Sequence, residues 1–261
     1  MSLAVISRDL ILSQGVLLSG NAGLIGWQTL ATTANTTATS ETAAGPLSNM
    51  LNNSTAFYWQ ASSTATQTIT ITTSGVPVDY IGIARHNLAQ SGLTITVKFD
   101  GVTVVPARAV VDQTTMILLS EASPTTVTIT IAGAGTAAKI AVLYIGQALK
   151  LERNIYVGHT PITYGRDISE INAMSENGQY IGRIVRNETR STEITLRNLT
   201  PDWYRQSLDP FIAARVPCFW AWRPLDYAAE VGFCWIEGAA RPVNERSNGM
   251  MGISWNFKGI A

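Results

Sequence analysis

Few residues in this sequence have the type and spacing to carry chemistry, and the two histidines come first. His86 lies where an apolar run ends and a loop begins, and His159 sits between a glycine and a Thr-Pro pair, the composition of a turn. A nucleophile–His–acid triad needs a histidine held against both partners, and neither local context supplies them. A polar cluster at a strand end can bind a ligand or simply hydrogen-bond the turn. We expect a structural role for both histidines.

Carboxylates and thiols do not form a recognisable active site either. The acids of the first half are scattered through turns and loops: Asp9, Glu41, Asp79, Asp100, Asp112 and Glu121. Most acids of the second half alternate with arginine, as over 186–190, which is typical of a solvated or salt-bridged face. Paired carboxylates on one cleft, as in glycosidases, are not suggested. The sequence therefore predicts no catalytic residue and no enzymatic activity.

Cys218 and Cys234 lie in apolar surroundings, where the expected state is a pair of buried free thiols. Two cysteines and two distant histidines are too few ligands for a zinc site. The segment Gly133-Ala134-Gly135 lies between two predicted strands, so it does not resemble a phosphate-binding loop, which needs a helix after it. We expect neither a metal nor a cofactor.

The strongest local feature is the aromatic segment 218–223, which a proline follows. As a strand it has two faces. One face carries Cys218, Trp220 and Trp222, and the other carries Phe219, Ala221 and Arg223. Because Trp and Arg are enriched at binding hot spots, Trp220, Trp222 and Arg223 are candidate interface residues. The alternative is a core strand with large side chains, and we expect core on one face and interface on the other.

The composition limits the classes of partner. The chain has 261 residues, of which 46% are hydrophobic and 14% are charged, with a formal net charge of zero. No basic stripe is present that could neutralise phosphates, which excludes a nucleic-acid partner of the electrostatic kind. A surface so poor in charge is either covered by other subunits or solvated by Ser, Thr and Asn. Both possibilities stay open.

Membrane insertion and export are not expected. The longest apolar-leaning stretch, 137–149, is interrupted by Lys139 and Gln147 and is shorter than the roughly 20 residues that a spanning helix needs. The N-terminus has Arg8 and Asp9 where a signal peptide would have its apolar region.

The charge distribution divides the chain into two unlike parts. Residues 1–147 hold 11 charged side chains and residues 148–261 hold 25. Five of the seven tryptophans also lie in the second part. Such a shift in composition indicates a boundary within 146–153. We therefore predict two domains, 1–147 and 148–261.

The first half has the pattern of a β-sandwich. Alternating segments typical of strands with one buried face cover 68–72, 94–99 and 126–131, and continuous apolar runs typical of central strands cover 80–84 and 140–145. Asp100-Gly101 is a tight-hairpin signal that leads into a strand over 102–105. Many short strands separated by turn residues predict a jelly-roll sandwich. The Thr-, Ala- and Ser-rich stretch 31–44 is predicted to be a long exposed loop, either functional or a spacer.

The second half is predicted to be a β-barrel or sandwich with one helix in a connection. The predicted strands cover 155–164, 179–186, 193–198, 217–223, 230–237 and 252–258. Thr200 is a good N-cap, and Pro201 and Asp202 suit the first helical turn. Asp209-Pro210 repeats the cap-and-proline pattern, so the helix over 201–214 is expected to break there.

Several strings of residues resemble those of a known group of proteins. They are the segments 80–88 and 142–146 with the Asp100-Gly101 hairpin, then 158–161, 175–178, Pro210-Phe211 and 220–224. Over roughly residues 55–261 the sequence is similar to tail-tip or baseplate proteins of long-tailed bacteriophages, of the distal-tail type, that carry a galactose-binding-like (discoidin-type) jelly roll.

This resemblance implies a structural component of the virion, assembled in the bacterial cytoplasm. The second half would form a homo-oligomeric ring that joins the tail tube and hub to the host-recognition apparatus, and the first half would decorate the ring. The jelly roll implies the alternative, a protein that binds a host-surface saccharide to recognise its receptor. Fold alone is a weak warrant for that function, and no ligand residue of the family can be carried over.

Overall fold

The computed structural model describes residues 10–12, 21–110, 114–133, 135–155 and 157–260. These residues form seventeen strands in three sheets, with one helical connection. The all-β class predicted from the sequence is confirmed.

Two five-stranded sheets form the sandwich of the first half. The first has the order β1-β9-β6-β11-β4, with β1 Leu10–Leu12, β9 Thr115–Ala122, β6 Val78–His86, β11 Lys139–Gly146 and β4 Trp59–Gln60. The second has the order β3-β5-β10-β7-β8, with β3 Thr36–Ala38, β5 Gln67–Thr72, β10 Thr126–Ala132, β7 Thr94–Phe99 and β8 Val102–Ala109. Their facing side chains form one apolar core that includes Ile69, Val97 and Ile129. The jelly-roll sandwich is therefore confirmed.

The third sheet has seven strands and belongs mainly to the second half. Its order is β12-β2-β15-β16-β17-β14-β13, with β12 Leu149–Lys150, β2 Leu24–Gly26, β15 Cys218–Ala221, β16 Val231–Asn244, β17 Met251–Ile260, β14 Tyr180–Leu199 and β13 Arg166–Met174. Strand β2 comes from the first half and pairs with β15 and β12. The division of the chain at residue 147 remains a prediction.

One face of the seven-stranded sheet packs on the sandwich. Phe219 and Phe233 of this sheet contact Tyr144 of β11, with ring centroids 5.5 and 6.0 Å apart respectively. This explains the continuous apolar runs of β6 and β11, because these strands lie in the middle of three sheet layers and bury both faces. Strands β5, β7 and β10 bury only one face and therefore alternate.

The helix covers the other face of the seven-stranded sheet. It runs through α1 Pro201–Trp203, a π-helical segment Tyr204–Leu208 and α2 Asp209–Ala214, so it widens before Asp209-Pro210. Thr200 holds the N-cap position, but its side chain makes no capping hydrogen bond. Tyr204, Leu208 and Phe211 pack into the core below. Among the described residues, no helix is long and apolar enough to cross a membrane.

Some predicted elements were wrong. The strand over 155–164 is not present, because the residues described there form turns ending at Tyr164, whose N–H donates to Pro161. The stretch 31–44 is not all loop, since its Thr-rich residues 36–38 form β3 against β5. Strands β2, β9 and β13 were not predicted.

Candidate functional site

Both faces of the aromatic strand β15 are buried inside this chain. Cys218 and Trp220 lie in the core beneath the helix, while Phe219 and Ala221 lie in the core shared with the sandwich. Trp220 is 0% exposed. The interface prediction for Trp220 is therefore wrong: packing layers on both sides of the sheet leave β15 no free face.

Trp222 and Arg223 lie just beyond the strand and are half-buried. The Trp222 ring stacks on Tyr227 at 5.2 Å and lies 4.9 Å from His159, and its indole N–H donates to the Glu230 carboxylate. Arg223 forms an ion pair with Asp226 at 2.9 Å. Their role as interface residues stays a prediction.

His86 ends β6, and His159 follows the turn at residues 157–158, as the local sequence predicts, while their structural role stays a prediction. His86 is buried, and its Nδ1 accepts a hydrogen bond from the N–H of Leu88 at 3.4 Å. His159 Nδ1 lies 3.2 Å from both the Thr192 hydroxyl and the Glu193 carbonyl. Burial lowers the pKa of His159, which favours its neutral form.

Cys218 and Cys234 are free and buried directly opposite each other on β15 and β16. Burial raises the pKa of both thiols, so neither is a reactive thiolate at neutral pH. In the described part of the chain, no group of His, Cys, Asp or Glu side chains is arranged to hold a metal ion.

A long β-ribbon extends beyond the seven-stranded sheet. It consists of β13 and residues 180–190 of β14, joined by the turn 175–179. In the described chain, β17 pairs with β14 only from Arg190 onward, so the ribbon has no neighbouring strand on either edge. Nine residues of β13 extend over about 30 Å at roughly 3.4 Å per residue. This ribbon is the main candidate interaction surface.

The ribbon exposes apolar side chains on both faces. Seven are between 41% and 69% exposed: Ile168, Ile171, Met174, Tyr180, Ile181, Ile184 and Val185. Ile171 lies directly opposite Ile184, and Met174 lies opposite Tyr180. Ile184 and Val185 are neighbours on β14 with no bulge between them, and both are exposed, so their side chains lie on opposite faces. The ribbon thus offers two separate apolar contacts.

Polar contacts hold the base of the ribbon. Lys258 of β17 lies 3.5 Å from Asp167 and 3.3 Å from Glu237. Arg190 donates to the Thr163 carbonyl at 2.7 Å. The base is therefore attached to the sheet, whereas among the described residues the distal part is bound through contacts between β13 and β14.

The sequence contained a signal for this ribbon. Residues 179–186 were predicted as a strand, and the segment 166–174 that pairs with it has Ile168 and Ile171 among polar residues. The apolar residues of 166–174 do not alternate regularly with polar ones, because bulges near Ser169 and Ala173 interrupt the pairing. A search for strict alternation therefore does not find strand β13.

A cleft with two tryptophan walls is the second candidate site. It has a volume of about 420 Å³ and lies where the residues after β2 meet the residues after β11 and the helix. Its lining residues are Trp27, Gln28, Gln147, Ala148, Leu149, Lys150, Trp203, Gln206, Ser207 and Pro210. Both tryptophans are half-buried, and the three glutamines are exposed.

Buried hydrogen bonds fix the backbone of this cleft. The Tyr80 hydroxyl donates to the Gln28 carbonyl, and the Ala148 N–H donates to the Asp79 carboxylate at 2.6 Å. Lys150 lies 3.5 Å from the same carboxylate. Desolvation raises the pKa of Asp79 despite these contacts.

Most aromatic residues of the first half are not available to a ligand. Trp59, Tyr80, Phe99 and Tyr144 are buried. Phe57 and Tyr58 are exposed, and Lys139 lies 4.7 Å above the Tyr58 ring. Together with Trp27, they are the surface aromatics that the described first half offers.

Comparison with known proteins gives a likeness of fold. No protein-family model matches the sequence, and no curated protein matches it. Among solved structures, chitosan-binding module 1 of a chitosanase/glucanase from Paenibacillus sp. IK-5 is 17% identical with a TM-score of 0.35, over 46% of this chain and 99% of that one.

Two modules from Clostridium perfringens are also similar. CpGH89CBM32-5, in complex with GalNAc-β-1,3-galactose, is 18% identical with a TM-score of 0.37, over 43% of this chain and 94% of that one. The family 32 module of NanJ, in complex with galactose, is 20% identical with a TM-score of 0.33, over 42% and 90%. At these identities and TM-scores, no ligand or partner is transferred from these modules to this chain.

Proposed function

We propose that this chain is a non-enzymatic assembly protein whose copies join into an oligomeric ring through the β13–β14 ribbon. The observation that supports this proposal is that seven apolar side chains are exposed on a ribbon that has no neighbouring strand among the described residues. An isolated two-stranded ribbon is at best marginally stable in water, and exposed apolar patches usually mark interaction sites.

A second copy of this chain is the partner that the ribbon fits. Residues 166–190 contain four arginines and four acids, so the ribbon is charge-balanced and suits a surface that is itself balanced, as this chain's is. Apolar side chains on both faces allow each ribbon to contact two surfaces. Contacts of this head-to-tail kind close into rings when the rotation permits.

The place of such a ring is proposed from the residue strings over roughly 55–261. They support a component of a bacteriophage tail tip or baseplate that joins the tail tube to the host-recognition apparatus, located in the virion. An electron micrograph of the particle that carries this chain tests the placement. The proposal expects the chain on the tail axis, and a position on a peripheral arm would contradict it.

Solution mass tests the assembly itself. We expect the protein to run as a multiple of the 28.1 kDa chain in light scattering and native mass spectrometry. The double variant Ile171→Asp, Ile184→Asp should run as the single chain, because two charges on one ribbon face would have to be desolvated at the contact. The control is Val102→Asp, an exposed valine on β8 of the sandwich, which should leave the mass unchanged.

A wild-type protein that stays monomeric at high concentration would overturn the assembly proposal. So would an oligomer whose mass the ribbon variant does not reduce. Circular dichroism of the variant confirms that the sheets remain folded when the mass falls.

Recognition of a saccharide is the second candidate function. The observation that favours it is the cleft between Trp27 and Trp203, where aromatic walls and amide side chains lie together. Sites for small ligands combine apolar walls with a few placed polar groups in this way. An array of host-surface saccharides tests this function, and a protein that binds none of them would contradict it.

A further inference from the structure

We infer that the cleft between Trp27 and Trp203 binds a short, uncharged oligosaccharide. This inference deepens the second candidate function and does not depend on ring assembly. The cleft lies between the sandwich and the helix and is built by segments from both halves of the chain.

The two tryptophan walls are held in place before any ligand arrives. The Trp27 ring packs on Phe211 of α2 with centroids 5.9 Å apart. Trp203 ends α1 and also packs against the core beneath the helix. Rigid aromatic faces bind the C–H faces of pyranose rings at little conformational cost, because their rotamers are already ordered.

The polar groups around these walls suit hydroxyl groups. Gln28 and Gln206 each carry an amide that can both donate and accept, and the Ser207 hydroxyl can do the same. The Gln147 amide N–H already donates to the Glu121 carboxylate at 3.1 Å, which leaves its carbonyl oxygen to accept. Sugar hydroxyls also donate and accept, so each can be paired. A ligand with few hydroxyls would leave the Gln28 and Gln206 amides without partners on binding.

The charges of the cleft favour a neutral ligand. None of the described residues that line it is acidic, and the carboxylates next to it are already paired: Glu121 accepts from Gln147 at 3.1 Å, and Asp79 faces Lys150. Its lining cation, Lys150, already faces the Asp79 carboxylate at 3.5 Å, which reduces its attraction for an anion. The volume of about 420 Å³ is within the range of small-molecule sites.

Titration of the full chain with defined sugars tests this site. The panel is lactose, maltose, cellobiose and N,N′-diacetylchitobiose, with digalacturonate as an anionic ligand and AMP as an aromatic one. Isothermal calorimetry and tryptophan fluorescence report binding. We expect at least one neutral disaccharide to bind in preference to digalacturonate and AMP.

Two variants of the cleft are expected to lose that binding. Trp203→Ala and Gln206→Ala should each weaken affinity at least tenfold, on the order of one missing stacking or hydrogen-bonding contact. Gln206 is exposed, so its variant tests the site even if Trp203→Ala folds poorly. The matched control is Phe57→Ala, an exposed aromatic outside the cleft, which should bind as the wild type does.

Three results would overturn the inference: no neutral sugar binds, AMP or digalacturonate binds best, or binding survives both cleft variants. The mass of each sample is measured alongside. If a cleft variant loses sugar binding but keeps the oligomeric mass, the loss is due to the cleft and not to failed assembly. A wild-type monomer that binds sugar contradicts only the assembly proposal.

Discussion

Two aspartates show how burial and hydrogen bonding set opposite electrostatic behaviour at the scale of single residues. Asp79 is buried at the start of β6 and accepts the Ala148 N–H, while Asp100 is exposed in a hairpin turn and accepts from Thr125 and Thr126. Desolvation raises the pKa of Asp79, and the hydrogen bonds, above all from the Thr125 hydroxyl, lower the pKa of Asp100.

The variant Asp79→Asn should reveal a stability difference that depends on pH. Because the folded pKa lies above 3.8, neutral Asp79 stabilises the fold below that pH, and this contribution is lost as pH rises through the folded pKa. The free energy of unfolding of the wild type relative to Asp79→Asn should therefore be greater below 3.8 than at neutral pH. Urea denaturation of both proteins across this range measures it, and a difference independent of pH would contradict it.

Asp100→Asn provides the comparison of opposite sign. The folded pKa of Asp100 lies below 3.8, so its contribution is present above that value and is lost as pH falls through the folded pKa. The advantage of the wild type over Asp100→Asn should thus decline with acidification. Equal slopes for the two variants would show that the assigned environments are wrong.

At the scale of elements, the hairpin between β7 and β8 depends on its turn residues. Asp100 and Gly101 both have positive φ, 46° and 84°, the conformation of a two-residue type I′ turn. The sequence signal for this turn was confirmed. A Cβ added at Gly101 would meet no atom within 4 Å. The positive φ, and not a lack of space, therefore requires a glycine at this position.

Gly101→Ala should lower the free energy of unfolding by about 1 kcal/mol, because an L residue is strained at this φ. Gly182→Ala is the control, since a Cβ there also meets nothing within 4 Å and no positive φ applies. Because Gly182 lies on the ribbon, both variants are compared by urea titration of protein dilute enough to be monomeric, where the effect of Gly182→Ala should stay within about 0.5 kcal/mol. Equal losses in both variants would contradict the turn argument.

The ribbon is the element whose order should depend on assembly. Its amides in β13 should exchange hydrogen rapidly in dilute protein and slowly in the assembled form, because a two-stranded ribbon opens easily until a partner covers it. Hydrogen-exchange mass spectrometry over a dilution series measures this. Strand β17, paired on both sides, serves as the internal control and should stay protected throughout. Slow exchange of β13 in the monomer would contradict the expectation.

At the scale of the whole molecule, the shared core joins the two halves. The Phe219 ring lies over Gly82 of β6, where a Cβ would come within 2.4 Å of it, and also contacts Tyr144. Close approach of the sheets therefore depends on a glycine in one half and an aromatic ring in the other. The halves that differ in composition are packed on one common layer.

Phe219→Ala should cost about 3–5 kcal/mol of unfolding free energy and lower the unfolding midpoints of both halves. Tryptophan fluorescence follows mainly the second half, which holds five of the seven tryptophans, and circular dichroism follows all sheets. Phe57→Ala, at 61% exposure, should change stability by less than about 0.5 kcal/mol. A Phe219→Ala protein whose first half keeps its wild-type midpoint would show that the halves are independent.

The sequence by itself determined the elements whose pattern is local. Alternation at 68–72, 94–99 and 126–131, the Asp100-Gly101 turn and the proline-marked helix each depend on neighbouring residues, so each was predicted. The regular α-helix breaks into a π-helical segment over Tyr204–Leu208, and α2 begins at Asp209, where the second cap-and-proline pattern had predicted the change.

Only the tertiary structure decided which of these surfaces remain free. The Trp220 face looked like an interface in the sequence, yet layers from distant segments bury it. The ribbon looked ordinary, yet β17 ends its pairing at Arg190 and leaves seven apolar side chains exposed. The cleft joins Trp27 and Trp203 from opposite halves. Local pattern specifies strands and turns, but exposure depends on long-range packing, which no single segment encodes.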